Sequence, residues 1–272
     1  MQHGQLIEFV SGNERLAVIS GAGVSTASGI PDYRDRDGNW KNAQPVQYGP
    51  FVNDEATRKR YWARSFVGWL RMNRARPNGA HAALAALERA GRVRCLITQN
   101  VDGLHRDAGS RNVIDLHGII DRVICLVCRR TGPRNHWQER LAAANPDWQA
   151  DVAAVRPDGD VELESADYER FEVPSCAHCG GVIKPDVVFF GENVPRDRVN
   201  TAMQAVEEAD ALLVVGSSLM VFSGFRFARR AAELGKPIAI VNQGRTRADE
   251  LATLKIDADC TDVLSHVANL CA

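Results

Sequence analysis

Short apolar blocks alternate along this chain with segments of helical spacing. Leu16-Ala17-Val18-Ile19-Ser20 is a continuous run that stops at glycine, and it predicts a buried parallel strand entering a phosphate-binding turn. Similar runs predict strands from Val93 to Thr98, Val113 to Leu116, Val187 to Phe190, Ala211 to Val215 and Pro237 to Val241. Ile256 and Ala258 mark a last short one. Helical spacing covers Asp54 to Arg74, with Tyr61, Phe66, Trp69 and Leu70 as the buried stripe. Pro77-Asn78-Gly79 breaks that helix, and a second runs from His81 to Ala90, closed by Gly91. Three more span Asp197 to Ala209, Phe225 to Leu234 and Thr261 to Leu270. Residues 32–50, rich in Asp, Gly, Asn and Pro, predict a long loop.

Strand and helix in alternation imply an α/β fold: a Rossmann-like, doubly wound parallel sheet covered on both faces. Ligands of such sheets sit beyond the carboxyl ends of the strands. Here those ends carry Gly21, Gln99-Asn100, His117, Gly216-Ser217 and Asn242. Residues 1–49, 91–120 and 184–272 would form this domain. A helical module (50–90) and a cysteine module (121–183) would form a smaller, discontinuous one. No internal repeat or low-complexity tract interrupts the pattern.

Charge narrows the class further. Lys+Arg is 33 and Asp+Glu is 34, a net charge of −1, which is a poor match for non-specific nucleic-acid binding. No apolar run reaches membrane-spanning length. Met1 to Val10 has neither a secretory pattern nor the character of an organelle presequence. Seven cysteines in 272 residues do not make a disulfide scaffold, so a reducing cytosol is the expected setting.

Four of those cysteines form two Cys-x-x-Cys pairs, Cys125/Cys128 and Cys176/Cys179. Each pair chelates from a tight turn, and together they suit one structural Zn²⁺ with no open position. The alternative is two unrelated turns with buried thiols. His178 lies inside the second pair and is read as solvent-facing.

Gly21-Ala22-Gly23 lets backbone N–H groups approach a pyrophosphate. Thr26 stands at the third position of the usual glycine fingerprint, and no acidic residue ends a second strand about 20 residues on, which counts against a dehydrogenase. Asn242 is the candidate for the ribose. In Thr98-Gln99-Asn100-Val101-Asp102-Gly103, Asn and Asp can read an amide such as nicotinamide, or form an Asx-turn capping the next helix, or both. His117, at a strand end beside Gly118, is the candidate general base; His3, His81, His105, His136 and His266 are read as non-catalytic, with His105 expected to pack near the site. Residues 184–192 and 216–221 offer two extended edges between which a peptide could add as a strand, or they are plain sheet core.

Taken together these motifs resemble the sirtuins. The matching residues are Gly21 to Ser25, Ser28 to Arg34, Thr98 to Asp102, Leu116-His117-Gly118, the four cysteines, Lys184-Pro185-Asp186, Phe189 to Glu192, Gly216 to Leu219 and Val241-Asn242. The likeness runs from about Leu6 to Cys260. Tyr-Trp-Ala-Arg at 61–64, Asp121-Arg122-Val123 and the long insertion between cysteine pairs look most like class II. The resemblance implies an NAD-dependent protein-lysine deacylase that yields nicotinamide, free lysine and O-acyl-ADP-ribose. NAD is the co-substrate and zinc is structural. It implies a pyrophosphate cradle at Gly21, Ala22 and Gly23, and nicotinamide placement by Asn100, a catalytic residue with His117, and by Asp102. Tyr33 would shield the anomeric carbon, with Arg34 steadying the loop. Thr26, Asp32, Gln99 and Val101 would complete that part of the cofactor site. Gly216, Ser217, Ser218, Asn242, Gln243, Gly244 and the Cys260 backbone would hold ribose, phosphate and adenosine. A redox role is the alternative for Cys260. Val188 and Phe189 would line the acyl-lysine tunnel.

Tyr61 and Arg64, at i and i+3, resemble the Tyr-x-x-Arg pair of desuccinylating sirtuins and would favour acidic or bulky acyl groups; a solvated Arg beside a core Tyr is the alternative. Competing functions are a mono-ADP-ribosyltransferase and a non-catalytic NAD or ADP-ribose sensor. The expected partners are acyl-lysine proteins or peptides, with no nucleic acid and no membrane. A cytoplasmic, bacterial monomer completes the expectation.

Overall fold

The computed structural model describes residues 2–42, 44–155, 160–164 and 166–271. Helix α1 (Gln2–Gly12) precedes strand β1 (Leu16–Ser20). Helices α2 (Tyr48–Asn53), α3 (Glu55–Met72) and α4 (Gly79–Arg89) lead to β2 (Val93–Thr98). Next come α5 (Leu104–Asp107), β3 (Val113–Asp115), β4 (Gly118–Cys125), β5 (Thr131–Pro133) and α6 (Arg134–Ala144). Strands β6 (Asp151–Val155), β7 (Val161–Glu164) and β8 (Ile183–Val187) follow. The chain closes with α7 (Arg196–Glu208), β9 (Ala211–Val215), α8 (Phe222–Glu233), β10 (Ile238–Val241), β11 (Leu254–Ile256) and α9 (Cys260–Cys271).

Six strands make a parallel sheet in the order β11-β10-β9-β1-β2-β3. The order reverses at β1, which pairs with β2 on one side and β9 on the other, so the crevice expected of such sheets opens beyond Ser20. Strand periodicity divides the core. Leu16 and Val18 face α1, α4 and α9 through Leu6, Val10, Leu84, Val263 and Leu264. Ala17 and Ile19 face α7 and α8 through Val206, Phe227 and Ala231. Each fully buried Val, Leu, Ile or Phe contributes roughly 1.5–3 kcal/mol.

The small unit is a third core. Trp62 and Trp69 of α3 pack with Trp137, Leu141 and Phe171. Fully buried Arg134 lies over both indoles, at 5.3 and 5.0 Å, and donates to Gln138 Oε1 at 2.7 Å. Burial pushes its pKa down to about 10, still charged at neutral pH. Strands β5, β4 and β8 form an antiparallel sheet here. Strand β4 begins immediately after His117 and ends at Cys125, and β8 returns from the second cysteine pair to Val187. One pair of strands thus joins the cysteine cluster to the crevice. Among the described residues no helix is long and apolar enough to cross a membrane.

Three expectations shift, and one helix was not foreseen. Residues 50–90 divide: α3 belongs to the small unit, whereas Ala80, Leu84 and Leu87 of α4 pack in the sheet core. Leu70 is 55% exposed, because one residue turns the helix by about 100° away from the Trp62–Trp69 stripe. The strand expected at 187–190 is instead Ile183–Val187, and the chain then leaves β4, with Val188 N donating to His117 O at 2.7 Å and Tyr48 N to Phe190 O at 2.8 Å. Helix α1 was not expected; among its described side chains only Leu6 and Val10, four apart, are fully buried.

Gly118 sets the corner between site and strand. Its φ is +86°, and a Cβ there would stand 2.1 Å from Asp186 O. Gly118→Ala is expected to destabilise the protein by more than about 3 kcal/mol in urea unfolding; a loss under about 1 kcal/mol would show that this corner yields easily.

Candidate active site and metal centre

A cavity of about 400 Å³ lies beyond the carboxyl ends of β1, β2 and β9, and the small unit supplies part of its wall. Its floor is two loops pressed together. Gly21 N donates to Val215 O at 3.1 Å, and Gly23 N to Gly216 O at 2.9 Å. A Cβ on residue 23 would meet Gly216 O at 2.9 Å, and one on residue 216 would meet Val24 N at 2.5 Å. Only glycines permit that approach. Thr26 is exposed, off the cavity wall, and donates to Gly23 O at 3.0 Å.

The loop after β2 is held from within. Asn100 Nδ2 donates to Ser25 Oγ at 3.1 Å, and Ser25 Oγ donates to Asp102 Oδ2 at 2.6 Å. Leu104 N donates to Asp102 Oδ1 at 3.0 Å, so the Asx-turn is present while Asn100 and Asp102 still line the cavity. Burial raises the Asp102 pKa against the pull of those two hydrogen bonds. Gln99 Nε2 donates to Ser217 Oγ at 2.7 Å, tying this loop to the β9 loop. Val101 completes the wall.

His117 stands at the centre. Nδ1 lies 2.9 Å from Gln99 O, which can only accept, so Nδ1 carries the proton. Nε2 is then an acceptor, 2.8 Å from Ser223 Oγ. The ring keeps an edge on the cavity but is enclosed by protein, and desolvation pushes its pKa down to about 4. The imidazole is neutral at physiological pH, with its lone pair at the cavity.

Aromatic rings close one side. Trp40 stacks edge-on against Phe190 at 5.4 Å, Tyr33 lies 6.1 Å from Trp40, and the Arg34 guanidinium sits 4.0 Å over Trp40. Burial lowers the Arg34 pKa. Asp32 lines the cavity and pairs with Lys41. On the small-unit side Phe189 packs against Phe51 and Tyr61, both at 5.1 Å, with Val188 beside it.

Some expected residues stand elsewhere. Arg64 is not on the wall with Tyr61: its Nη2 is 2.8 Å from Asp160 Oδ2, and its Nε donates to Val161 O at 2.6 Å. It lines a neighbouring cavity of about 390 Å³. Asn242 and Gln243 reach the main wall, with Gly216, Ser217 and Ser218. Gly244 does not; a Cβ there would meet Arg36 O at 2.3 Å. Cys260 is buried beneath the glycine turn, its thiol 3.5 Å from Gly23 O. Burial pushes that thiol up to about 12, which opposes a redox role. Ser25 and Ser223 were missed. Ser25 stood only within the matching run Gly21 to Ser25, without a role, and Ser223 had no sequence signal.

The four cysteines converge. Their Sγ atoms all lie within 4.8 Å of one another, with Cys125–Cys179 at 3.5 Å and Cys128–Cys176 at 3.8 Å. A tetrahedral zinc with Zn–S bonds of about 2.3 Å needs sulfurs about 3.8 Å apart, so the donor set fits. Each pair sits on a tight turn with one left-handed residue, Arg129 (φ +60°) and Gly180 (φ +71°). The N–H groups of His178 and Cys179 lower the Cys176 pKa to about 6. His178 is exposed, as expected.

The Sir2 family profile matches residues 21–223. A protein of Bordetella bronchiseptica named NAD-dependent protein deacetylase is 56% identical over 261 residues, covering 96% of this chain and 95% of its own. A Sir2 structure with a p53 peptide and NAD+ superposes with a TM-score of 0.79 at 30% identity, covering 99% of this chain and 98% of that one. A Sir2 variant solved with deacetylated p53 peptide and 3′-O-acetyl-ADP-ribose gives 0.78 at 30% identity, with the same coverage of 99% and 98%. The chain belongs to the Sir2 family, the sirtuins.

Two outcomes follow from these environments. Stripping the metal with a chelator should unfold the small unit while the parallel sheet persists, because structural zinc supplies folding free energy. Far-UV circular dichroism with metal analysis reads this, and a metal-free protein with unchanged helicity contradicts it. The second outcome concerns pH. His81 and His117 are pushed down to about 4 and His105 to about 3 by burial, whereas the unfolded chain takes up these protons near 6.5. Their contribution to stability is full above about pH 6.5 and falls as pH drops towards 4. The urea midpoint should decline from about pH 7 to about pH 5, before most carboxylates titrate; a flat midpoint there contradicts the assignment.

Proposed function

We infer that the protein is an NAD-dependent protein-lysine deacylase that releases nicotinamide, free lysine and O-acyl-ADP-ribose. The observation that carries this is the His117 imidazole, fixed as the Nδ1–H tautomer by Gln99 with its Nε2 lone pair at a cavity. NAD supplies a ribose whose anomeric carbon is attacked by the acyl oxygen of a modified lysine as nicotinamide leaves. One water is consumed in releasing the free lysine, and the chain's own groups bind, orient and move the proton. The paired loops at 21–23 and 216–218 cradle the pyrophosphate and ribose. Asn100 and Asp102 orient the nicotinamide; each Asp102 oxygen accepts one protein bond and keeps a lone pair for an amide. His117 Nε2 takes the proton of a ribose hydroxyl that replaces Ser223 Oγ as its partner. The resulting imidazolium remains bonded to the Gln99 carbonyl, so its geometry survives the proton transfer. Phe51, Tyr61 and Phe189 exclude water around the acyl-lysine.

Arg64 is neutralised by Asp160, which supports preference for uncharged acyl groups over acidic ones. Tyr-Trp-Ala-Arg at 61–64 and Asp121-Arg122-Val123 support class II membership. We propose a cytoplasmic monomer acting on acyl-lysine proteins, without nucleic acid or membrane; the net charge of −1 supports the first of these exclusions.

Incubation with NAD and acetyl- and glutaryl-lysine peptides tests the reading by mass spectrometry. Nicotinamide and deacylated peptide should appear in equal amounts, acetyl before glutaryl. His117→Ala should lose roughly 10²–10⁴-fold in turnover. ADP-ribosylated protein in place of O-acyl-ADP-ribose would make the protein a transferase, and NAD binding without nicotinamide release would make it a sensor.

A further inference from the structure

Two imidazoles behind the cofactor loops take no part in this chemistry. His81 and His105 are 0% and 2% exposed, with ring centroids 4.7 Å apart. Each ring spends one nitrogen on a protein partner. The other nitrogens, His81 Nε2 and His105 Nδ1, are buried without one. Buried polar atoms are almost always paired, and leaving one unpaired is costly.

The outer partners fix both protons. Asn78 N–H can only donate, and it meets His81 Nδ1 at 3.3 Å, so His81 carries its proton on Nε2. Ser20 Oγ gives its single hydrogen to Thr98 Oγ1 at 2.9 Å. It therefore accepts from His105 Nε2, 2.8 Å away, which leaves His105 Nδ1 as a bare lone pair. One ring thus holds an unpaired donor and the ring beside it an unpaired acceptor.

We propose that His81 and His105 close a hydrogen-bonded chain, Nε2–H to Nδ1, by a small shift of the rings or through one water, that braces the two cofactor loops against each other. At one end Asn78 Nδ2 donates to Val24 O at 2.8 Å and to Ser28 Oγ at 2.9 Å, holding the turn after Gly23. At the other end Thr98 Oγ1 accepts from Asn100 N at 3.1 Å. His105 is a positioning residue: it touches no reacting atom and acts on Asn100 through Ser20 and Thr98. Protonating either ring would set donor against donor, and burial holds both rings neutral at physiological pH.

The kinetic consequence rests on the cavity being the NAD site; the proton positions do not. Nitrogen-15 histidine spectra of the zinc-loaded wild type, assigned with His81→Gln and His105→Gln, read the tautomers at neutral pH. Two neutral Nε2–H rings are expected, and a charged ring or an Nδ1–H form at either position overturns the chain. His105→Leu fills the space without hydrogen bonds and should raise KM for NAD about tenfold, the cost of about 1.4 kcal/mol in binding. His105→Gln, with an N–H for Ser20 and a C=O for His81, should stay within about threefold of wild type, since both bonds are kept. A folded His105→Leu with unchanged KM, or a glutamine variant no better than leucine, overturns the positioning role. If leucine prevents folding, the tautomers and the glutamine variant still decide. A wild type without NAD-dependent turnover would sink the deacylase reading and leave the tautomer result standing.

Discussion

The hydrogen bond from His117 Nδ1 to the Gln99 carbonyl is the constraint around which this site is organised. It joins the end of β2 to the corner where the chain leaves the parallel sheet for β4. It settles which nitrogen holds the proton, and so which one can receive another. Gln99 spends its side chain on Ser20 O and Ser217 Oγ, so the carbonyl that orients the base is itself held by loops from β1 and β9. Three strand ends converge on one imidazole, at the point where the strand order reverses.

The cysteine cluster and the cavity are two ends of the same structural element. Strand β4 leads from His117 to Cys125, and β8 runs from the second cysteine turn to Val187, next to Val188 and Phe189. The cysteines lie at the other end of these strands, yet they anchor the elements that set His117 and the cavity wall at Val188 and Phe189. Trp62 strengthens that anchoring by donating from Nε1 to Ile183 O at 3.2 Å. A metal without an open position can thereby govern activity through geometry alone.

Much of the sheet was legible because buried parallel strands announce themselves as unbroken apolar runs; Leu16–Ser20, Val93–Thr98 and Ala211–Val215 have the bounds read from sequence. The polar residues following those runs had to face the crevice, which is why Gly21, Asn100, His117 and Gly216 group together from sequence alone. What escaped notice depends on tertiary pairing. Arg64 and Asp160 are 96 positions apart in a segment of weak pattern, and nothing local shows that one neutralises the other. Ser223 and His81 are ordinary residues until the fold assembles them, and the pairing of His81 with His105 has no local signal. Val187–Phe190 misled for a different reason: its apolar side chains serve the cavity wall and the small-unit core rather than a parallel strand.

The most direct measurement of the central claim is the pH dependence of kcat/KM for deacetylation, which reports ionisations of the free enzyme. A His117 base already neutral in the resting protein gives a profile without an acid limb near the ordinary histidine value of about 6.5. An acid limb with a midpoint near 6.5 would contradict the account, because the ring would then be charged in the state that meets its substrate.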